Sequence, residues 1–158
     1  MPGSPPPVSL PPVFVLNGPN LNLLGRRDRT IYGTATLTDV EQLCRDEAAR
    51  LGLAVDFRQS NHEGVLIDWV HEAIAVGAPV VGNFGAYTHT SIAIMDALDN
   101  VEAPVIEVHI SDIHAREEFR HTSYVSLVAT EVIVGQGVAG YAQALRRVAA
   151  LWDRGTHD

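Results

Sequence analysis

The chain has 158 residues, of which 46% are hydrophobic and 19% charged, and its formal net charge at pH 7 is −8. This length and composition are typical of one globular domain, and the acidic balance argues against nucleic acid or an anionic membrane as a partner. With no apolar run long enough for a bilayer, no pattern of a secretory leader and a single cysteine, Cys44, we expect a cytoplasmic protein without a disulfide.

In chain order, six prolines within residues 1–12 predict an extended or disordered arm. One domain is expected over residues 13–153, with 154–158 as a short tail. Two capping-box patterns, Thr38-x-x-Glu41 and Ser60-x-x-Glu63, predict the starts of the first two helices, and Gly52 predicts the end of the first. The hydrophobic pattern predicts strands at 13–16, 53–58, 79–83, 104–109 and 130–134, and helices at 38–51, 60–77, 91–100 and 138–153.

Strands that alternate with helices through short connections predict an α/β fold with a doubly wound parallel sheet. For five strands we expect the flavodoxin-like order 2-1-3-4-5, with a ligand site beyond the carboxyl ends of the strands. Many polar side chains follow those ends in this sequence, namely Asn17, Asn20, Asn22, Gln59, Asn61, Glu63, Asn83, Thr88, His89, Ser91, Glu107, His109, Ser111, Asp112, Arg116, Arg120 and His121.

The chain contains no lysine, because all eleven of its basic residues are arginine. Chemistry that needs a lysine side chain is therefore excluded, including Schiff bases, pyridoxal anchors and the lysine of phosphate-binding loops. The histidines lack a metal-binding spacing and no dinucleotide glycine motif is present. We therefore expect neither a metal nor a cofactor.

Glu107 and His109 are two residues apart on a predicted strand, so their side chains share one face of the sheet. A carboxylate beside an imidazole favours the protonated ring, which suits a general acid. A histidine that merely ends a strand fits the position equally well, and the pattern leaves both interpretations open.

Tyr32 is the candidate general base, in a long loop at 17–37 that is typical of a lid or binding loop. Lowering the pKa of a phenol from about 10 by ~3 units needs roughly 4 kcal/mol of differential stabilisation, which a desolvated arginine such as Arg27 can supply. For a lid tyrosine taken alone, simple ring packing is the commoner role.

Arg120 suits an anionic group of a ligand, since a guanidinium binds a carboxylate through two hydrogen bonds. Ile110 and Ser111 offer backbone N–H groups and a hydroxyl just beyond a strand, which also suit a carboxylate. The alternatives are a solvated arginine on a helix face and an ordinary serine turn cap.

Four segments of the chain resemble the type II 3-dehydroquinate dehydratases. They are Asn17-Gly-Pro-Asn-Leu-Asn-Leu-Leu-Gly-Arg-Arg with Tyr32-Gly33, Gln59-Ser-Asn-His-Glu-Gly64, Asn83-x-Gly-Ala-Tyr-Thr-His-Thr-Ser91, and Glu107-Val-His-Ile-Ser111 with Arg116-Glu-Glu-Phe-Arg-His121. The resemblance extends over about 13–151. Four motifs in the right order are specific, whereas one alone would not be.

The resemblance implies a cofactor-independent lyase of the shikimate pathway, with 13–153 as its catalytic domain, that converts 3-dehydroquinate to 3-dehydroshikimate. It implies that Tyr32, aided by Arg27, removes the C2 proton, and that Asn20 positions a water that stabilises the enolate oxygen. It also implies that His109, oriented by Glu107, protonates the departing C1 hydroxyl. The implied substrate contacts are Asn83, His89, Asp96, Ile110, Ser111 and Arg120, with Asp96 acting across a trimer interface in a homo-dodecamer of four trimers.

The sequence departs from the family pattern at three places. Phe84 stands where proline is common, Asp112 where asparagine is usual, and Asp28-Arg29 where Glu-Pro is common. A carboxylate at Asp112 is expected to weaken the binding of an acidic substrate. Two other functions stay open, namely a flavodoxin-like module that binds FMN or a nucleotide, and an inactive assembly or regulatory protein of the same descent.

Overall fold

Five parallel strands form the centre of the protein. The structure, a computed structural model, describes residues 9–26, 30 and 33–153. The strands are β1 (Val13–Asn17), β2 (Val55–Gln59), β3 (Val80–Asn83), β4 (Val105–His109) and β5 (Glu131–Val134). They pair in the order β2-β1-β3-β4-β5. The predicted α/β class and the predicted strand order are both confirmed.

Within 33–153, four α-helices cover the two faces of this sheet. They are α1 (Leu37–Arg50), α2 (Glu63–Val76), α3 (Ile92–Leu98) and α4 (Ala139–Leu151). Because side chains alternate along a strand, β1 sends Val13 and Val15 to a core shared with α1 and α4, and Phe14 and Leu16 to a core shared with α2 and α3. Burial on both sides explains why β1 and β3 are apolar up to their final asparagine, whereas β4 carries the buried polar residues Glu107 and His109.

The start of α1 differs from the prediction. Thr36, not Thr38, is the capping residue: its hydroxyl accepts a hydrogen bond from the Asp39 N–H at 3.2 Å, and the Asp39 carboxylate accepts one from the Thr36 N–H at 3.0 Å. This reciprocal pair satisfies two of the four N–H groups that the start of a helix leaves unpaired. The predicted box of Thr38 and Glu41 was therefore wrong, since Thr38 already lies inside the helix.

The predicted capping box at the start of α2 was also wrong. The capping residue is His62, which makes no side-chain capping bond, and the Ser60 hydroxyl instead accepts from the His62 N–H at 3.0 Å in a turn before the helix. The glycines that end the helices agree better with expectation, since Gly52 and Gly77 have φ of 71° and 70°, where a Cβ would be strained.

We expect Thr36→Ala to lower the free energy of unfolding by about 1 kcal/mol, because it removes the acceptor for the Asp39 N–H. Thr38→Ala is the matched control, and it should leave stability unchanged or slightly raised, since alanine has the higher helix propensity. Urea denaturation of the two variants and the wild type measures both effects. Equal losses from the two substitutions would contradict the assignment of the cap.

Several sequence predictions fall outside the described residues. These are most of the proline-rich arm, the tail at 154–158, and the lid positions Arg27, Asp28-Arg29 and Tyr32. No helix in the described ranges is both long enough and apolar enough to cross a membrane.

Candidate active site

A cavity lies beyond the carboxyl ends of β1, β3 and β4, at the edge of the sheet where the topology predicts a ligand site. Seven of the predicted site residues line it, namely Asn20, Asn83, His89, His109, Ile110, Ser111 and Arg120. Six further residues line it, namely Pro19, Leu21, Gly85, Ala86, Ile113 and Arg116. Of these, only Arg116 was named as a polar residue after a strand, but all except Ile113 lie within the quoted motifs, so the motifs located the right segments.

Asn20 stands at the cavity in a left-handed backbone conformation, with φ of 68°, which asparagine tolerates better than most residues. Its N–H donates to Asn61 Oδ1 at 3.0 Å. Gln59 Nε2 donates to the same oxygen at 3.1 Å and to the Gly18 carbonyl at 3.1 Å. The segment that follows β2 therefore holds Asn20 in place.

Gly18 allows the ends of β1 and β3 to touch. A Cβ built on Gly18 would lie 2.2 Å from the Phe84 carbonyl oxygen, so no other residue fits without moving the backbone. Phe84 itself is buried, and its ring fills the space above Gly82, where a Cβ would lie 2.2 Å from Cε2. The departure from the family pattern at Phe84 is thus accommodated by a glycine on the preceding strand.

Glu107 and His109 form a buried contact at the end of β4, with 0% and 5% of their surfaces exposed. His109 Nε2 is hydrogen-bonded to Glu107 Oε2. Burial of the Glu107 carboxyl opposes ionisation, but hydrogen bonds from His109, Ser123 and Ser126 outweigh it and hold the pKa of Glu107 below its usual value. The carboxylate is therefore ionised and accepts the hydrogen on Nε2 of His109, which fixes the orientation of the ring.

Three hydroxyl groups complete the environment of Glu107, and none was predicted as a site residue. The Ser123 hydroxyl donates to Oε2 at 2.6 Å, and Thr88 Oγ1 donates to the same oxygen at 3.3 Å. The Ser126 hydroxyl donates to Oε1. Thr88 was visible in the sequence as a polar residue after a strand, whereas the two serines carry no local signal that separates them from other loop serines.

We expect the free energy of unfolding of Glu107→Gln to depend less on pH in the acidic range than that of the wild type. The pKa of Glu107 is lowered on folding, so the unfolded chain binds more protons than the folded one below the ordinary glutamate pKa of about 4.3. The stability that Glu107 contributes is therefore present above that pH and is lost as the pH falls towards its folded pKa. Urea denaturation between neutral and acidic pH should show the wild type and the variant converging. A constant difference would contradict the prediction.

The tautomer of His89 follows from one contact. Its Nδ1 lies 2.7 Å from the Thr122 carbonyl oxygen, which can only accept, so Nδ1 carries the hydrogen. Burial lowers the pKa of His89, which keeps the ring neutral at physiological pH and leaves Nε2 with an accepting lone pair. His89 therefore suits a hydroxyl group of a ligand better than an anion.

The residues after β4 bring together donors that suit an anion. The carbonyls of Ile110 and Ser111 accept from the N–H groups of Gly137 and Gly135 at 3.0 and 3.2 Å, which fixes this short segment against the loop after β5. Arg120 Nε donates to Glu117 Oε2 at 2.6 Å. Because such a pair near the surface is weak, Arg120 can exchange Glu117 for a ligand carboxylate at small cost.

Two residues named from the sequence lie elsewhere in this chain. Asp96 is exposed on α3 and is not among the residues that line the cavity. Asp112 lines a neighbouring cavity, and its Oδ1 accepts from the His114 N–H at 2.9 Å and lies 3.3 Å from His114 Nδ1. Arg27 and Tyr32 lie outside the described residues. Within the described ranges, no group of three or more histidine, cysteine or acidic residues is placed to hold a metal.

The fold and the site together define a flavodoxin-like α/β protein with a candidate acid–base centre at the carboxyl edge of its sheet. The model of the dehydroquinase class II family matches residues 11–149. This chain belongs to that family.

Individual relatives agree over most of their length. The chain is 61% identical over 148 residues to the 3-dehydroquinate dehydratase of Streptomyces avermitilis, covering 93% of each chain. It is 62% identical over 139 residues to the enzyme of that name from Methylobacterium radiotolerans, covering 88% of this chain and 93% of the relative. The crystal structure of the type II dehydroquinase of Propionibacterium acnes superposes with a TM-score of 0.85 at 48% identity, over 87% of this chain and 95% of that one.

Proposed function

We propose that this chain catalyses the dehydration of 3-dehydroquinate to 3-dehydroshikimate, a step of the shikimate pathway, through an enolate intermediate and without a cofactor. The observation that carries the proposal is the buried Glu107–His109 pair, which opens onto a cavity lined by polar and basic side chains. A dehydration of this kind needs a general acid that protonates the leaving hydroxyl. A histidine that is held by an ionised carboxylate suits that role. Relatives that carry the name 3-dehydroquinate dehydratase support the choice of substrate.

The reaction begins with loss of the C2 proton, which lies next to the ketone. Tyr32 takes this proton as a phenolate, and Arg27 favours that ionised form. The electron pair moves onto the ketone oxygen and forms an enolate. Asn20, held at the cavity wall by Asn61, positions a water that donates to this oxygen. The roles of these residues come from the family resemblance.

The second half of the reaction expels the C1 hydroxyl as water. The enolate returns its electron pair, the C1–O bond breaks, and His109 gives its proton to the leaving oxygen. Glu107 stabilises the protonated ring before this transfer, because its carboxylate is ionised and hydrogen-bonded to Nε2. His109 is then neutral and regains a proton for the next turnover, while Tyr32 returns the C2 proton to solvent.

Substrate binding divides between the two sides of the cavity. Ile110, Ser111 and Arg120 bind the carboxylate of 3-dehydroquinate, since they offer N–H, hydroxyl and guanidinium donors in one region. Asn83 and the neutral His89 bind the substrate hydroxyls. Asp112 pairs with His114 in a neighbouring cavity. Its negative charge therefore acts on the substrate from outside the candidate active site.

The active form of the enzyme is a homo-dodecamer of four trimers in the cytoplasm, in which Asp96 reaches the site of a neighbouring subunit. The exposed position of Asp96 on α3 supports this role, since its side chain is available to a neighbouring subunit. Sedimentation analysis measures the mass in solution, and a fully active monomer would contradict the assembly.

Ultraviolet absorbance of the purified protein mixed with 3-dehydroquinate tests the proposed function, because the product is a conjugated enone and the substrate is not. A prompt rise, with the product identified by chromatography, is the expected result. No rise from a correctly folded and assembled protein would overturn the proposal. A yellow protein, or one that releases a nucleotide on denaturation, would instead favour a ligand-binding module.

A further inference from the structure

A chain of buried hydrogen bonds runs beneath the cavity, from α4 to the ends of β1 and β3. The hydroxyl of Tyr141, on the first turn of α4, donates to Asn17 Oδ1 at 2.7 Å and accepts from Asn83 Nδ2 at 3.0 Å. Tyr141 and Asn17 are 0% exposed and Asn83 is 4% exposed. Of the three, Asn83 lines the cavity. Burial raises the pKa of the Tyr141 phenol, so the hydroxyl keeps its hydrogen throughout the physiological range.

Backbone groups at the two ends of this series of hydrogen bonds determine which group donates and which accepts in each bond. Asn17 Nδ2 donates to the Arg58 carbonyl at 3.0 Å, and a carbonyl can only accept. The Gly85 N–H donates to Asn83 Oδ1 at 3.2 Å, and an N–H can only donate. Each end therefore fixes which atom of its amide is oxygen and which is nitrogen.

The Tyr141 hydroxyl is the group that joins the two ends. Asn17 turns its oxygen to Tyr141 and Asn83 turns its nitrogen to it, so the single phenolic hydrogen points to Asn17 and the phenolic oxygen accepts from Asn83. A flip of the Asn83 amide would break its bond to Tyr141 and its bond to Gly85 together. The side chain is thus held in one orientation.

We propose that Tyr141 is a positioning residue for substrate binding, which holds the Asn83 amide so that it presents one N–H and one oxygen lone pair to a hydroxyl of the substrate. An amide group has two hydrogens on nitrogen and two lone pairs on oxygen. Tyr141 accepts one of the two hydrogens, and the Gly85 N–H occupies one of the two lone pairs. The remaining hydrogen and lone pair match a substrate hydroxyl, which both donates and accepts. This inference rests on the proposed function, because it takes 3-dehydroquinate as the ligand.

A purely structural role for Tyr141 is the competing explanation, since any buried tyrosine that loses its hydroxyl leaves its partners unsatisfied. The two roles differ in what they change. A structural role alters stability alone, whereas a positioning role alters KM and leaves kcat nearly intact, because Asn83 contacts the substrate away from the proton transfers.

The experiment compares Tyr141→Phe with Val148→Ala, a buried apolar position on the same helix and in the same core. We expect Tyr141→Phe to raise KM for 3-dehydroquinate about tenfold with kcat within about threefold of the wild type. Val148→Ala should lower the denaturation midpoint and leave KM unchanged. An unchanged KM in folded Tyr141→Phe would overturn the proposal.

Nuclear magnetic resonance of the Asn83 side-chain amide gives a readout that does not depend on turnover. In the wild type the hydrogen that is bonded to Tyr141 should exchange slowly with solvent, and in Tyr141→Phe it should exchange faster, while equal rates would overturn the proposal. Absence of turnover by the wild type would contradict the proposed function instead, and this measurement would then test Tyr141 alone.

Discussion

Replacing His109 with asparagine should lower kcat for 3-dehydroquinate by about 10²–10⁴-fold, with a much smaller change in KM. Asparagine is close in size and can donate to Glu107, but it cannot deliver a proton to the leaving hydroxyl. The three hydroxyl donors to Glu107 stay in place, so the variant should fold. Steady-state kinetics and circular dichroism measure the two properties.

His71→Asn is the matched control for this substitution. His71 is an exposed residue in the second half of α2 and is not among the residues that line the cavity, so its loss should leave kcat and KM unchanged. A kcat of His109→Asn within a few-fold of the wild type would refute the role of His109 as the acid.

Tyr32→Phe should lose nearly all turnover, about 10²–10⁴-fold in kcat, while its folding and assembly stay unchanged. The substitution removes the phenol that is proposed to take the C2 proton and keeps the ring. Thr30, two residues before it, lines a cavity that shares Ile110, Ser111 and Arg116 with the candidate active site. Absorbance kinetics at saturating substrate give the loss in kcat.

Tyr124→Phe controls for the general loss of a tyrosine hydroxyl. Tyr124 is half-buried in the segment between β4 and β5 and has no role in the proposed mechanism. We expect its kcat to match that of the wild type. If Tyr32→Phe kept near-normal activity, the base would have to be another group, although the family assignment would stand.

The strands and their order could be predicted because they follow from local patterns and from general rules of connection. Apolar runs of four to six residues between helical segments allow little besides a parallel sheet. The helix starts could not be fixed in the same way. Thr36 and Thr38 each stand three residues before an acidic residue, and only the packing of α1 decides which of them caps it.

In the candidate site, too, contacts between residues near in sequence could be predicted and contacts between distant residues could not. The pairing of Glu107 with His109 follows from two-residue spacing on a strand, and the structure brings the two together. The partners that hold this pair and Asn83 are far away in sequence: Ser123 is 16 residues from Glu107, and Tyr141 is 58 residues from Asn83. A serine or a tyrosine carries no local mark of such a contact, because the fold alone creates it.

The hydrogen bonds to Glu107 join two loop segments to the end of β4. Its carboxylate receives Thr88 from the segment after β3, and Ser123 and Ser126 from the segment that also carries Arg120. The carboxylate that contacts His109 is therefore also the group that ties the segment carrying Arg120 to the end of β4. A substitution of Glu107 is expected to disturb the orientation of His109 and the position of that segment together, so the two effects cannot be separated at this position.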